Sequence, residues 1–464
     1  MSDLSKRVVM PERDHNVRNK DFKEVASGYT EEMAIKEARR CLNCKTKPCV
    51  VGCPLNINIP EFIHLVAQGE FEKASYELKK QNVMPAVCGR VCDQEHQCEG
   101  VCLRGKKGES IAIGRLERFV ADFVLNKGEI KPEINIAKKN KKVAVVGSGP
   151  SGLACAKSMY MYGYDVTIFE ALHVAGGVLM YGIPEFRLPK DIVRAQIDEI
   201  KRLGIKIETN MVIGKVLSID DLFEEGYSAV YIGTGAGLPK FMGIDGENAN
   251  GVYSANEFLT RINLMEAKRF PEYDTPVCVG DSLAVIGGGN VAMDVARTAK
   301  RMGCKNVYVI YRRSMDDMPA RREEVDHAYH EGVIFKFLKN PKKIIKDDLG
   351  KVCALECVDM DQGEVDDKGR RKVYEKVGSE HIIEVDTVVM AIGQSPNNLI
   401  SNETPDIATT KYGGIVVDQE TYMTTKEGVF AGGDVVSGAA TVTLAIKAGQ
   451  DAANKMNEYI IKKG

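Results

Sequence analysis

The sequence has no excess of charge: 63 Lys and Arg face 65 Asp and Glu, a formal net charge of -2 over 464 residues. A global basic field that would draw in nucleic acid is absent, so no nucleic-acid partner is expected. No apolar run reaches the roughly 18 residues a membrane helix needs, so no membrane association is expected either. The opening Met1-Ser2-Asp3-Leu4-Ser5-Lys6 lacks the apolar core of a secretory signal, and a cytoplasmic, reducing compartment is the expectation. In such a compartment clustered cysteines read as metal ligands or redox centres rather than disulfides. Low-complexity segments are lacking as well. What remains is an ordinary globular composition, 44% hydrophobic and 28% charged, with length for about three domains.

Against that background the 13 cysteines are unevenly spread, with eight between Cys41 and Cys102. Cys41, Cys44, Cys49 and Cys53-Pro54 form one run; Cys88, Cys92, Cys98 and Cys102 form a second. The first spacing, C-x2-C-x4-C-x3-C-P, is near that of ferredoxins, with a longer middle gap. Four thiolates hold one [4Fe–4S] cluster, and in two-cluster runs the fourth cysteine serves the other cluster. By that logic Cys41, Cys44 and Cys49 share a cluster to which Cys102 returns. Cys53, Cys92 and Cys98 then begin a second, with one ligand still to find. Zinc and buried free thiols are the competing readings. Zinc favours paired C-x2-C units or mixed Cys/His sets, whereas one C-x2-C is present and His96 is the sole histidine within the second run. Of the scattered cysteines, Cys155 reads as core, and Cys353 and Cys357 have no partner pair.

Downstream the texture changes to strand, glycine turn, helix, strand. Val143–Val146 runs into Gly147-Ser148-Gly149-Pro150-Ser151-Gly152, which opens a helix. In that context Gly147 makes the turn, Gly149 lets backbone approach a pyrophosphate, Gly152 permits helix–strand packing, and the helix N-terminus stabilises the phosphates. The next strand, Asp165–Phe169, ends in Glu170, where an acid accepts from a ribose 2′-hydroxyl. A 2′-phosphate about 4 Å from Glu170 would be repelled by about 4 kcal/mol per unit charge at an effective dielectric of ~20, so the site takes NAD or FAD. The tail resolves the choice. A strand over 428–431 followed by Gly433-Asp434 resembles the second signature of two-domain flavin reductases, in which the acid reaches the ribityl chain, and Thr441 then starts a helix facing the flavin. FAD is the expected occupant. The stretch from Gly176 and Gly177 to Pro189, dense in glycine and proline, could line its ring or be a structural loop.

A second strand, 283–286, leads into Gly287-Gly288-Gly289-Asn290-Val291-Ala292, with Ala292 an allowed replacement for the third glycine. Here the following strand ends in Tyr311-Arg312-Arg313. No acid stands there, and Arg312 and Arg313 suit a 2′-phosphate by charge and bidentate geometry. NADPH is expected, with Arg321 and Arg322 more naturally surface residues. Hydride transfer requires no general acid or nucleophile, so no catalytic side chain is expected; positioning of nicotinamide against flavin is the protein's task.

The expected fold class is α/β: two Rossmann-like dinucleotide-binding domains of the two-domain flavin reductase type, for FAD and NADPH, preceded by an α-helical iron–sulfur domain. Residues 1–140 make the helical domain with two [4Fe–4S] clusters, 141–265 and 385–464 a discontinuous FAD domain, and 266–384 the NADPH domain. Thr30 caps a helix ending near Arg40, Pro60 opens one reaching about Lys80, and a long tail helix runs from about Thr441 to Ile461.

The two cysteine runs, Gly147 to Gly152, the Gly182-Ile-Pro-Glu-Phe-Arg-Leu-Pro189 stretch, Gly287 to Ala292 and Gly433-Asp434 occur together in this order. The set resembles the small subunit family of NADPH-dependent glutamate synthase. It is equally similar to the large subunit of electron-bifurcating NADH-dependent ferredoxin:NADP+ oxidoreductase, and more distantly to the amino-terminal half of dihydropyrimidine dehydrogenase. The resemblance implies two [4Fe–4S] clusters, interleaved as above. It also implies a side-chain oxygen ligand just after the last cysteine, which falls on Glu117 and leaves Cys88 spare. It implies an electron-accepting partner subunit: a small flavin- and iron–sulfur-bearing chain for bifurcation, towards which the reading leans, or the glutamate synthase large subunit. A zinc-stabilised nucleotide-binding scaffold is the reading from a different class.

Overall fold

The computed structural model describes residues 4–128, 136–366 and 370–464. Its first part is helical. Thr30 accepts a hydrogen bond from the Met33 N–H and caps the helix Glu31–Ala38, with Glu31 and Glu32 in the first turn where the helix dipole favours acids. Where one helix was expected from Pro60 to about Lys80, there are two, Ile59–Ala67 and Phe71–Lys79. The break sits at Gly69, whose φ of +79° glycine alone adopts readily.

Helices Pro85–Val91 and Ile113–Lys127 cross backbone against backbone. A Cβ on Gly89 would stand 2.5 Å from the Arg118 nitrogen, so only glycine permits the approach. Phe71 packs edge-on against Phe119 and Phe123, with centroids 5.0 and 4.9 Å apart, and holds the same helix from its other side.

Two five-stranded parallel sheets follow. The first has the order Val429–Ala431, Tyr227–Ile232, Lys142–Val146, Asp165–Phe169, Lys206–Glu208. The second has the order Val252–Ser254, Thr387–Met390, Ser282–Ile286, Asn306–Tyr311, Ile334–Phe337. Each glycine-rich turn leaves the central strand of its sheet. Burial on both faces explains why those strands read as unbroken apolar runs. The architecture is the expected α/β pair of Rossmann-like folds behind a helical region.

Sheet membership differs from the expected boundaries at residues 265 and 384. Val252–Ser254 and Thr387–Met390 lie outside 266–384, yet both hydrogen-bond within the second sheet. Pairing between strands remote in sequence leaves no local mark on either. A short ribbon of Ala236–Pro239 against Gln394–Pro396 carries the chain between the two folds in both directions. An antiparallel set, Lys339–Lys346, Val352–Val365, Arg371–Glu375 and His381–Glu384, is an addition that the sequence reading did not contain. It sets Leu355 and Cys357 against Ala284, Ile286 and Met390 of the second sheet.

One buried apolar cluster runs from the helical region into the first sheet, joining Phe62, Leu78 and Val120 to Val143, Leu153 and Met456. The tail helix Val442–Lys462, capped by Thr441, lies across the helix Pro150–Met161, with Gly449 against the Ser151 backbone. Cys155 is buried in that contact, as expected for a core thiol. Among the described residues no helix is long and apolar enough to cross a membrane.

Candidate redox site

The cysteines sort into two groups. Cys41, Cys44, Cys49 and Cys102 line one cavity, closed behind by Ile59, Ile63, Ile111 and Ile113 and bordered by Leu42, Lys47 and Arg104. Burial, and then the neighbouring Cys41 and Cys102, push the Cys49 thiol up to about 11. Cys53, Cys92 and Cys98 lie deeper. Burial raises Cys53 to about 11, with Glu117 and Cys92 adding to the shift. Cys92 is pushed up by Cys88 beside it and by burial, while the Thr443 hydroxyl works the other way. The Glu117 carboxyl stands among these thiols and is raised by burial to about 8. It accepts a 2.7 Å hydrogen bond from Asn82 Nδ2. Asn82 Oδ1 in turn takes the Cys88 thiol at 3.6 Å, so Asn82 separates Cys88 from Glu117.

A single tetrahedral zinc, with Zn–S of about 2.3 Å, would draw its thiolates to within roughly 4 Å of one another. Among the described residues no three cysteine sulfurs gather within 4.8 Å. Arg104 provides the fit: its Nε is buried without a hydrogen-bond partner among the described residues, on the wall of the outer cysteine cavity. An anionic occupant would supply the missing acceptor.

At the first nucleotide turn Gly147 has φ +98°, and a Cβ there would meet the Gly233 carbonyl oxygen at 2.6 Å. A Cβ on Gly152 would run into the Gly147 carbonyl, and one on Gly177 would stand 2.9 Å from Gly149 Cα. The space above Gly149 is open, as a pyrophosphate needs. Glu170 is buried and accepts from the Ser148 N–H at 3.0 Å, the Ser148 hydroxyl and the Leu172 N–H at 2.8 Å. Gly433, at φ +75°, lies against Ser151, and Asp434 follows it. Burial raises the Asp434 carboxyl to about 6. Thr441 caps the tail helix through its bond from the Leu444 N–H. The Tyr181 hydroxyl, raised by burial to about 12, feels both Asp434 and Glu170. Thr443, 3.2 Å from the Thr441 hydroxyl, brings the start of the tail helix to the Cys92 thiol.

At the second turn a Cβ on Gly287 would strike the Ala391 carbonyl, Gly289 is open except for Pro319 at 4.0 Å, and Ala292 is buried in the helix contact. Arg312 is exposed at the end of its strand, with no ion pair or hydrogen bond among the described residues. Arg313 is partly committed, its Nε donating to the Arg371 carbonyl at 3.0 Å. Arg321 reaches the Arg90 carbonyl and Glu323, and the Arg322 N–H donates to Glu95, so both belong to the contact with the helical region.

Residues 18–129 match the family described as dihydropyrimidine dehydrogenase domain II, 4Fe-4S cluster, and residues 141–450 match pyridine nucleotide-disulphide oxidoreductase. The chain belongs to the pyridine nucleotide-disulphide oxidoreductases. Among its relatives, the NADP(+)-dependent formate dehydrogenase subunit beta of Moorella thermoacetica is 40% identical over 89% of this chain and 60% of that protein. The glutamate synthase [NADPH] small chain of Escherichia coli (strain K12) is 35% identical over 98% of this chain and 97% of that one. The chain thus spans less than two thirds of the first relative and nearly all of the second. Mycobacterium tuberculosis FprA in complex with NADPH shares the fold, with a TM-score of 0.58 and 18% identity over 69% of this chain and 85% of that one. The chain is an oxidoreductase of the kind that uses FAD, NADPH and 4Fe–4S iron–sulfur centres.

In this oxidoreductase the 182–189 stretch reaches the helix that leaves the second glycine turn. Arg187 donates to both oxygens of Asp294 at 2.8 and 2.7 Å and pairs through Nε with Glu324 at 2.9 Å. Asp294 belongs to the helix that leaves the second glycine turn. Glu324 binds Arg297, and Arg297, Arg301 and Arg18 all converge on Glu331. Burial opposes ionisation of Glu331, but Arg297 and Arg301 hold it down at about 2. Phe186 lies under the Arg301 and Arg297 guanidiniums, at 3.8 and 4.7 Å. Sequence reasoning singled out the stretch for its glycines and prolines and missed Arg187, Tyr181 and Thr443. The signal available was the charged residue inside an apolar, proline-bounded run.

Proposed function

We propose that the chain is the electron-input subunit of a larger oxidoreductase, taking reducing equivalents from NADPH and delivering them to a partner protein. The observation that carries this reading is the start of the tail helix, where the Ala440 N–H donates to Asp434, Thr441 caps the helix, and Thr443 meets both Thr441 and the Cys92 thiol. When bound, the flavin and the clusters supply the exchange between a hydride pair and single electrons. The chain's residues would hold and orient them. Gly147, Gly149, Gly152 and Gly177 make room for the FAD pyrophosphate, Glu170 takes the ribose, and Gly433, Asp434 and Thr441 close the flavin end. Gly287, Gly289 and Ala292 seat NADPH, and Arg312, with Arg313 beside it, takes the 2′-phosphate. Cys41, Cys44, Cys49 and Cys102 hold the outer cluster; Cys53, Cys92, Cys98 and Glu117 hold the inner one. Crossing points at the 236–239/394–396 ribbon divide the FAD fold from the NADPH fold.

The partner reading is electron bifurcation, as in NADH-dependent ferredoxin:NADP+ oxidoreductase. It is supported by the charge around the outer cysteines. Lys45, Lys47, Lys106 and Lys107 are exposed there with no ion pair among the described residues, beside exposed Leu42, Val51 and Val101. A cationic collar with an apolar centre suits an acidic one-electron carrier. Input to glutamate synthesis is the second reading, favoured by the near-complete span of the Escherichia coli small chain.

Anaerobically purified protein titrated with NADPH tests the proposal. Flavin bands that bleach, together with stoichiometric iron and acid-labile sulfide, are expected; flavin without iron, or a colourless zinc protein, would refute it. A co-purifying small flavoprotein supports bifurcation, and a large amidotransferase supports glutamate synthesis.

A further inference from the structure

Arg104 is the one side chain bordering the outer cysteine cavity whose buried polar atom is left without a partner among the described residues. It follows Cys102 by two positions, in the 3-10 turn Leu103–Lys106, and shares the cavity wall with Ile59, Ile63, Ile111 and Ile113 and with Lys47. A buried N–H without an acceptor is destabilising, and in a guanidinium the missing acceptor is one for a charged donor. Among the described residues no carboxylate lines the cavity: the acids nearest in sequence are engaged elsewhere, Glu99 with Arg7 and the Gly114 N–H, and Glu109 with the Arg7 N–H.

We infer that Arg104 is a positioning residue that donates its Nε–H to the iron–sulfur cluster held by Cys41, Cys44, Cys49 and Cys102, and thereby raises that cluster's reduction potential above that of the inner one. The inference rests on the ligand assignment proposed above. The physical reason is simple. Reduction adds one negative charge to an already anionic core. A fixed cation and a hydrogen bond to sulfur stabilise the reduced form more than the oxidised form. The polar side chains on the inner group are neutral ones, Asn82 on Glu117 and Cys88, and Thr443 on Cys92. Raising the outer centre gives single electrons a downhill direction towards the surface face that carries the lysine collar.

The test is a redox titration followed by electron paramagnetic resonance on the whole chain with its cofactors, comparing wild type with Arg104→Gln and Arg104→Lys. In Arg104→Gln the outer cluster should need a more reducing solution, with its reduced-to-oxidised ratio at fixed potential falling about tenfold, about 59 mV for one electron. The inner cluster should stay where it is. Arg104→Lys should recover part of the shift. Unchanged outer potential in both variants would overturn the inference, as would equal shifts of both clusters. So would loss of the outer cluster in both variants, which would make Arg104 a structural residue. Failure of the ligand assignment looks different: wild type itself would then show fewer than two clusters.

Discussion

Arg312 ends its strand with no partner among the described residues, while the neighbouring Arg313, Arg321 and Arg322 each make protein contacts. Arg312→Ala should therefore raise the KM for NADPH roughly ten- to hundredfold, the equivalent of about 1.5–3 kcal/mol for a charged hydrogen-bonding pair. Steady-state kinetics with both coenzymes check it: weak NADH use should barely change, and equal loss with both would exclude a 2′-phosphate contact. A second residue-scale prediction concerns the inner cluster. Asn82 holds Glu117 among Cys53, Cys92 and Cys98 and binds Cys88 on its other side. Glu117→Ala should lose about half of the iron and acid-labile sulfide, and Cys88→Ser should retain them; the reverse pattern would hand the fourth ligand to Cys88.

Among elements, the 182–189 stretch and the helix Asn290–Arg301 carry the coupling between the two nucleotide folds. Arg187 is buried, and removing one partner of a buried ion pair strands the other's charge. Arg187→Leu should cost about 3–5 kcal/mol in a denaturation experiment. Loosening of the nicotinamide relative to the flavin should also slow flavin bleaching in stopped-flow mixing with NADPH. A stable variant with unchanged bleaching would show that the network is dispensable. Much at this scale was legible beforehand. The Thr30 cap, both glycine turns, the acid at Glu170 and the tail helix are local matters of propensity, capping and turn sterics. The break at Gly69 was not, because the apolar spacing continues on either side of it. The antiparallel set over 339–384 was hidden by its composition. In Lys339–Lys346 only Pro341 and Ile344 are buried, so the pattern never settles into alternation.

For the whole molecule, the near-neutral net charge conceals a local excess. Lys47 lines the outer cysteine cavity and Lys45, Lys106 and Lys107 lie close to its cysteines in sequence, all exposed and without an ion pair among the described residues, whereas Lys73, Lys79, Lys80 and Lys127 elsewhere in the helical region are paired with acids. Reversing all four collar lysines to glutamate should slow reduction of an acidic ferredoxin at least tenfold and flatten its dependence on ionic strength. NADPH bleaching of the flavin should be unaffected. An unchanged ferredoxin rate, with flavin and clusters intact, would move the docking face elsewhere.

The sequence by itself determined the cofactor types and their order along the chain, because ligand spacing, loop sterics and the sign of charge at a strand end are written in contiguous residues. The tertiary structure alone decided which arginine is left unengaged, which sheet takes the strands at 252–254 and 387–390, and that Arg187 ties the two folds together. Those outcomes depend on segments far apart in the chain meeting through packing. Which pairs of backbones can approach, as at Gly89 and Arg118, is settled only when the core closes around them.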